Sequence, residues 1–408
     1  MKYSISKSVA VFGLVSVLFL GCSGGGSTGA PVPLKSSDPC INAASKWALW
    51  TNGACLRGAN IGLSVRDAVD TWPDLVGPPY TQVDFDNLAA MGANVVNISG
   101  PGLWTQTPPY QLDLQVQASL DNILAMIQKA NMFAVITARM GPGRLELDFQ
   151  TAKPAVVWTD AAAQQGWVDM WRYMANRYKN NPIVIGYDLM VEPNANTVQF
   201  QPATLDTPGL FYPQYANTLY DWNPLAKKIT GAIRLVDKDT PILVGGMGYS
   251  AATWLGAIVS TGDSKTVYMA HQYEPQALYT HQPAPYANTY GTSSGTFTRA
   301  DLLTQFAYLA SFKAARGVPV GVNEFGGMRF QPGMDQFLND EMDLFETNGI
   351  NYSIWLWETS WAGLTYDQFN YRRGMDPNNH IDVSPNPLTT VIKKYFRKNT
   401  VFPLNRSY

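Results

Sequence analysis

From residue 54 onward the chain alternates short runs of branched and apolar residues with longer stretches whose apolar residues recur every three or four positions, and it does so eight times. The strand-like runs fall at 54–62, 94–99, 133–138, 183–190, 242–246, 267–271, 318–323 and 352–357. Between the third and fourth, Trp167, Met170, Trp171, Met174 and Tyr178 share one helical face, and Asn180-Asn181-Pro182 ends it. Leu302, Phe306, Leu309 and Ala310 repeat the pattern behind Thr298 and Asp301, which are spaced as a capping box. Phe337, Met342, Leu344 and Phe345 form a looser stripe stopped at Asn348-Gly349, and Pro387 suits the first turn of a last helix. Eight such pairs in roughly 350 residues predict an α/β chain closed into a (β/α)8 TIM barrel with long loops on its C-terminal face. A doubly wound open sheet is the main competitor.

Two of the runs end on a carboxylate. The stretch I-V-I-G-Y-D-L-M-V-E-P-N leads into Glu192, and Pro193 cannot continue a central ladder. The stretch V-P-V-G-V-N-E-F-G ends on Glu324, with Gly326 opening the turn, 132 residues later. In a barrel both would arrive at the mouth. Glycoside hydrolysis needs one carboxyl group protonated, to give a proton to the leaving oxygen, and one ionised, to attack or stabilise the sugar cation. Two carboxyls facing one another push their pKa values apart and so separate those roles. The blander reading has each Glu simply end a strand in an ion pair. His271, at another strand end, has a ring that can hold a carboxylate in place, and Tyr273 carries a phenol donor two residues on. Trp167 and Trp171 are core by position, whereas Trp104, Trp254, Trp355, Trp357 and Trp361 stand at or beyond strand ends as candidates for stacking on pyranose faces. Glu358 adds a third carboxylate near that lip.

The L-M-V-E-P block, the H-x-Y of His271 and Tyr273, the V-N-E-F-G block and the last strand with Trp355 resemble glycoside hydrolase family 5, the cellulase-like barrels of clan A. The similarity runs from Arg57-Gly58-Ala59-Asn60 to the final helix. It implies Glu192 as general acid/base and Glu324 as nucleophile, His271 and Tyr273 as their orienting partners, and Trp355 as floor of the subsite next to the cleaved bond. It further implies a two-step mechanism with retained configuration and no cofactor. Three positions depart from the family pattern. Val191 replaces the usual Asn before the acid/base, Asn97 stands where the second strand usually ends in Arg, and Arg139 stands where the third usually supplies His. Asn97 and Arg139 are therefore expected to contact substrate with exchanged roles, the guanidinium arriving from the neighbouring strand. Trp357 is expected to join them as a stacking face. A barrel that binds glycans without cleaving them, and an exo-acting enzyme or transglycosylase on the same scaffold, are the rival readings.

Lys2 and Lys7 precede an uncharged, mostly apolar run over 9–20, as in an export signal, and that run is too short to span a bilayer comfortably. Leu20-Gly21-Cys22 followed by S-G-G-G-S resembles a bacterial lipoprotein processing site with a flexible tether. The expected organisation is a signal peptide over 1–21, a tether over 22–40 and one catalytic domain over 41–408. Cys22 would carry lipid and hold the protein at a bacterial outer membrane or cell surface; the alternative is a plain secretory signal. Cys40 and Cys55 remain, either bridged in an oxidising compartment or free in a core. Formal charge is −2, or −4 once Lys2 and Lys7 leave with the signal, and no basic run occurs, which argues against nucleic acid as a partner. Carbohydrate and the membrane are the expected partners of a monomer. Gly246 to Ala251 fits a dinucleotide fingerprint, but it lies in the fifth strand-helix pair, and Gly291 to Gly295 fits G-x-S-x-G without a leading strand. Three scattered His give no zinc motif.

Overall fold

Eight parallel strands close on themselves in chain order: β1 (Arg57–Gly62), β2 (Val95–Pro101), β3 (Phe133–Met140), β4 (Val184–Asp188), β5 (Ile242–Gly245), β6 (Thr266–Gln272), β7 (Val320–Phe325) and β8 (Asn351–Ile354). The ring is completed where Arg57, Gly58 and Ala59 pair with Tyr352, Ser353 and Ile354. This is a (β/α)8 barrel, and the open sheet is excluded by the β1–β8 pairing. The computed structural model describes residues 38–41, 43–62, 80–146, 153–200, 204–291, 294–358 and 367–405. The expected signal peptide, Cys22, most of the tether and Trp361 lie outside them.

Helices wrap the outside as their periodicity requires. On Ala161–Tyr178 the predicted face is fully buried, and two indole N–H groups tie the helix to the barrel's upper rim: Trp167 donates to the Pro142 carbonyl at 2.8 Å and Trp171 to the Leu189 carbonyl at 2.9 Å. The capping box at Thr298 and Asp301 opens Arg299–Arg316, and Gly317, at φ 61°, ends it in the left-handed conformation that glycine tolerates. Asn386 caps Pro387–Phe396. Among the described residues no helix is long and apolar enough to cross a membrane.

Inside the ring, side chains stack in layers. Leu49 and Trp50, from the segment before β1, plug the bottom against Leu56, Val95, Phe133, Val135, Leu243, Val267 and Met269. The Trp50 indole donates to the Ile185 carbonyl at 3.0 Å. Cys40 and Cys55 are joined in a disulfide, their Cα atoms 5.3 Å apart, and Cys40 is buried in this bottom cluster. One step further along the strands the layer turns polar: the Thr137 hydroxyl donates to Asn97 Oδ1 (2.6 Å), Asn97 Nδ2 to Asn60 Oδ1 (2.5 Å), Asn60 Nδ2 to the Asn323 carbonyl (2.6 Å), and Asn323 Nδ2 to Asp188 Oδ2 (2.6 Å). All five residues are 4% exposed or less, so these bonds stand in for the water the groups have lost, although Asn323 Oδ1 has no partner among the described residues.

Most strand ends fall within two residues of expectation, and two strands stop short by two or three. β4 stops at Asp188 rather than running to residue 190, because the chain turns out toward Glu192, whose φ is 49°. β8 stops at Ile354, after which the Trp357 amide crosses to the Asn60 carbonyl at 2.9 Å.

Candidate active site

The next layer, at the C-terminal ends of the strands, is charged. A register shift between Ala270 and His271 sets His271 of β6 directly beside Glu324 of β7. The His271 ring then lies between the two carboxylates, Nδ1 at 2.7 Å from Glu192 Oε1 and 3.4 Å from Glu324 Oε2. Ligand-type atoms of Glu192, His271 and Glu324 all fall within 4.8 Å of one another. Tyr273 donates its phenol proton to Glu324 Oε2 at 3.1 Å. Arg139, at the end of β3, pairs through Nε with both oxygens of Glu146 at 2.9 and 2.8 Å, and its charge also acts on Glu324 and Glu192. Its guanidinium stands 5.5 Å from the centre of the Trp355 ring.

The electrostatics follow from burial. His271 is 6% exposed, which by itself disfavours the imidazolium, but Glu324, Glu192 and Asp188 together raise its pKa to about 9. The ring is therefore a cation at neutral pH. Glu324 is pushed upward by burial and by Glu192, against the pull of His271, Arg139 and the Tyr273 hydrogen bond. Burial lifts Asp188, directly below, to about 7, with His271 opposing and Glu324 adding to the rise. For both Asp188 and Glu324 burial favours the neutral carboxyl, and the shared imidazolium of His271 opposes it.

The backbone around the pair is specialised. Gly326, at φ 126°, follows β7, and a Cβ there would stand 2.3 Å from the Tyr371 hydroxyl. That hydroxyl accepts from the Gly327 amide at 3.1 Å and donates to the Gly327 carbonyl at 3.0 Å, fixing the turn after the carboxylate.

With this geometry in view, comparison with known proteins decides the family: the model for cellulase (glycosyl hydrolase family 5) matches residues 58–360. The chain belongs to glycosyl hydrolase family 5. Endoglucanase C of Acetivibrio thermocellus is 27% identical over 173 residues, covering 42% of each chain, and an endoglucanase of Paenibacillus polymyxa is 27% identical over 194 residues, covering 42% of this chain and 41% of its own. The chain thus matches less than half the length of these curated relatives. Among solved structures, endoglucanase Cel5A of the hyperthermophile Thermotoga maritima superposes with a TM-score of 0.61 at 18% identity, over 87% of this chain and 99% of its own. Cel5A of Pseudomonas stutzeri gives 0.62 at 16%, over 85% and 96%. At such identities these two speak for the fold.

Against the family pattern, the structure sorts the residues expected at the site. Glu192, Glu324, His271, Tyr273, Arg139 and Trp355 come together at the mouth. Asn97 does not: it is fully buried one layer below, satisfied by Thr137 and Asn60, so it supports the floor rather than facing a sugar. The expected exchange with Arg139 is therefore one-sided, with the guanidinium brought to the carboxylates and nothing given back at position 97. Trp357 also fails as a stacking face. Its indole is 8% exposed, donates to the Asp84 carbonyl at 2.9 Å and lies 4.7 Å under Arg372. Trp254 is 3% exposed and packs against Phe211 and Tyr212, while Trp104 is half-buried at the rim. Burial and the neighbouring Asp367 raise the Glu358 carboxyl to about 7, opposed by Arg373 and Arg372, in a separate cluster.

Several residues that complete this family 5 site escaped sequence reasoning. Glu146 holds Arg139, Arg144 grips the Glu192 backbone, and Asp188 underlies the pair. The segment that fits a dinucleotide fingerprint instead forms a turn with three successive left-handed residues, Gly248, Tyr249 and Ser250. It ties Glu192's neighbour to His271's strand: the Tyr249 amide donates to the Pro193 carbonyl at 3.2 Å and the His271 amide to the Ser250 carbonyl at 2.9 Å. His281 packs against Tyr273 with ring centres 4.9 Å apart and planes nearly perpendicular, its pKa lowered by burial to about 4, so that, unlike His271, it favours the neutral form.

Proposed function

We propose that the protein is a retaining β-glycosidase that cleaves internal bonds of a β-linked glucan, in the manner of the endoglucanases it resembles. The observation that carries this reading is the His271 ring between two carboxylates whose ligand atoms lie within 4.8 Å, a separation suited to direct attack rather than to a water held between them. Glu324 is the nucleophile. It is 3% exposed; burial and Glu192 raise its pKa, and the Tyr273 hydroxyl with the cations His271 and Arg139 opposes that rise by stabilising the carboxylate. Glu192 is the acid/base. It is the more exposed of the two and stands on the outward turn, where a departing glycan leaves. In the first step Glu324 attacks the anomeric carbon while Glu192 protonates the leaving oxygen. In the second, Glu192 takes a proton from water as the water displaces Glu324, and configuration is retained. Trp355, half-buried beside Arg139, offers the sugar an apolar face.

The test is reducing-end release from soluble β-glucan and mannan by wild type, Glu324→Gln and Glu192→Gln, with product anomers followed by NMR. Loss of release in Glu324→Gln, with the β-anomer formed first by wild type, supports the reading. Equal activity in Glu324→Gln overturns it, and tight binding without release by wild type favours a glycan-binding barrel. Export and lipid attachment at Cys22 belong to the same proposal, and labelled-palmitate incorporation that survives Cys22→Ser would contradict them.

A further inference from the structure

Glu192 does not stand on β4. It follows a buried three-residue linker, Leu189, Met190 and Val191, in a left-handed conformation (φ 49°) that a side-chain-bearing residue avoids unless it is held there. The orientation of its side chain is set by the peptide plane on either side of its Cα, and both planes are gripped by one guanidinium. Arg144 Nη1 donates to the Val191 carbonyl at 2.6 Å, and Arg144 Nη2 donates to the Glu192 carbonyl at 2.9 Å. Nη1 also reaches the Arg139 carbonyl at 3.2 Å, so the same group joins the end of β3 to the acid/base turn.

Arg144 is itself rigidly presented. Its side chain is 1% exposed. It follows β3 in a four-residue turn closed by the Gly141 amide on the Arg144 carbonyl (3.2 Å) and the Arg144 amide on the Gly141 carbonyl (2.9 Å). Gly143 in that turn has φ 69°, and a Cβ there would meet Ala163 Cβ at 2.7 Å. The Trp167 indole pins Pro142 from outside. Arg's planar fork spans two carbonyls with fixed geometry, which Lys cannot copy.

We propose that Arg144 is a positioning residue for proton transfer: by fixing both peptide planes of Glu192 it aims the carboxyl at the leaving oxygen. This rests on the assignment of Glu192 as acid/base given above. A positioning residue and a merely structural one differ in which substrates suffer. Protonation matters for a poor leaving group and hardly at all for a good one, whereas general loosening of the site slows both.

The experiment compares formation of the glycosyl-enzyme, by stopped-flow burst, from phenyl and 2,4-dinitrophenyl β-cellobioside in wild type, Arg144→Lys, Arg144→Met and Glu192→Gln. The expected result is a fall of roughly tenfold or more in the phenyl-to-dinitrophenyl rate ratio for both Arg144 variants, in the same direction as, and smaller than, that of Glu192→Gln. Addition of azide should speed turnover of the dinitrophenyl glycoside in Arg144→Met, as it does when the general base is impaired. An unchanged ratio in the Arg144 variants, with Glu192→Gln still selective, overturns the role of Arg144 alone. An unchanged ratio in Glu192→Gln overturns the acid/base assignment and the inference with it. Circular dichroism checks folding, and Arg144→Lys carries the comparison if Arg144→Met does not fold.

Discussion

Replacing Asn97 with Ala should weaken the fold and leave sugar recognition nearly intact. The substitution strands two buried partners: the Thr137 hydroxyl loses its acceptor and Asn60 Oδ1 loses its donor, both at sites no more than 2% exposed. An unsatisfied buried polar group costs about 1–3 kcal/mol, so the pair costs about 4 kcal/mol in all. Unfolding entropy near 2.1 cal/mol/K per residue, taken over the roughly 370-residue packed unit, gives about 0.8 kcal/mol/K, so Tm falls by roughly 5 °C. Differential scanning fluorimetry measures that fall, and initial rates on a soluble β-glucan measure KM. A Tm within a degree of wild type, joined to a tenfold rise in KM, would refute the placement of Asn97 beneath the site and return it to the cleft wall.

The His271 charge makes a pH-dependent contribution to stability. Its pKa rises from 6.5 to about 9 on folding, so the stabilisation is fully present below pH 6.5 and is lost as pH climbs through 9, about 3 kcal/mol in total; urea midpoints at pH 6 and 9.5 should converge in His271→Gln relative to wild type. Opening the Cys40–Cys55 bridge, which spans 15 residues, should cost about 3 kcal/mol, read as a lower thermal midpoint in Cys40→Ser/Cys55→Ser or under reductant, and an unchanged midpoint would contradict this. Glu146→Gln removes the main partner of a guanidinium that is 8% exposed and should destabilise by about 3 kcal/mol, the low end for a broken buried pair because Glu192 and Glu324 still face Arg139; denaturant titration gives the value.

The barrel was legible because its strands are buried on both faces and most are rich in Val, Ile, Ala and Gly (β8, Asn-Tyr-Ser-Ile, is the exception), interrupted by helices with a clear apolar stripe. Glu192 and Glu324 stood out as carboxylates at the end of mostly apolar runs, whereas Asp188, inside the first of those runs, did not. Asn97 and Trp357 misled because a strand's sequence gives the direction of a side chain but not its height above the barrel floor. Asn97 sits one layer too low, and Trp357 turns outward after β8 breaks off at Ile354. Arg144 left no legible trace, since its partners are backbone carbonyls, which every residue possesses. The Gly248–Tyr249–Ser250 turn was visible only as glycine punctuation, and its true partners, Pro193 and His271, are brought near by the closed ring.

That turn bears on how such barrels can be recombined. Exchanging the segment after β5 for one from another member would at first sight alter only the rim. Yet its amide and carbonyl are stitched to Pro193 on one flank and to His271 on the other. A chimera cut at residues 246 and 252 would therefore shift Glu192 and His271 together, whereas boundaries that include residues 193 and 271 would carry the whole stitched block across unharmed.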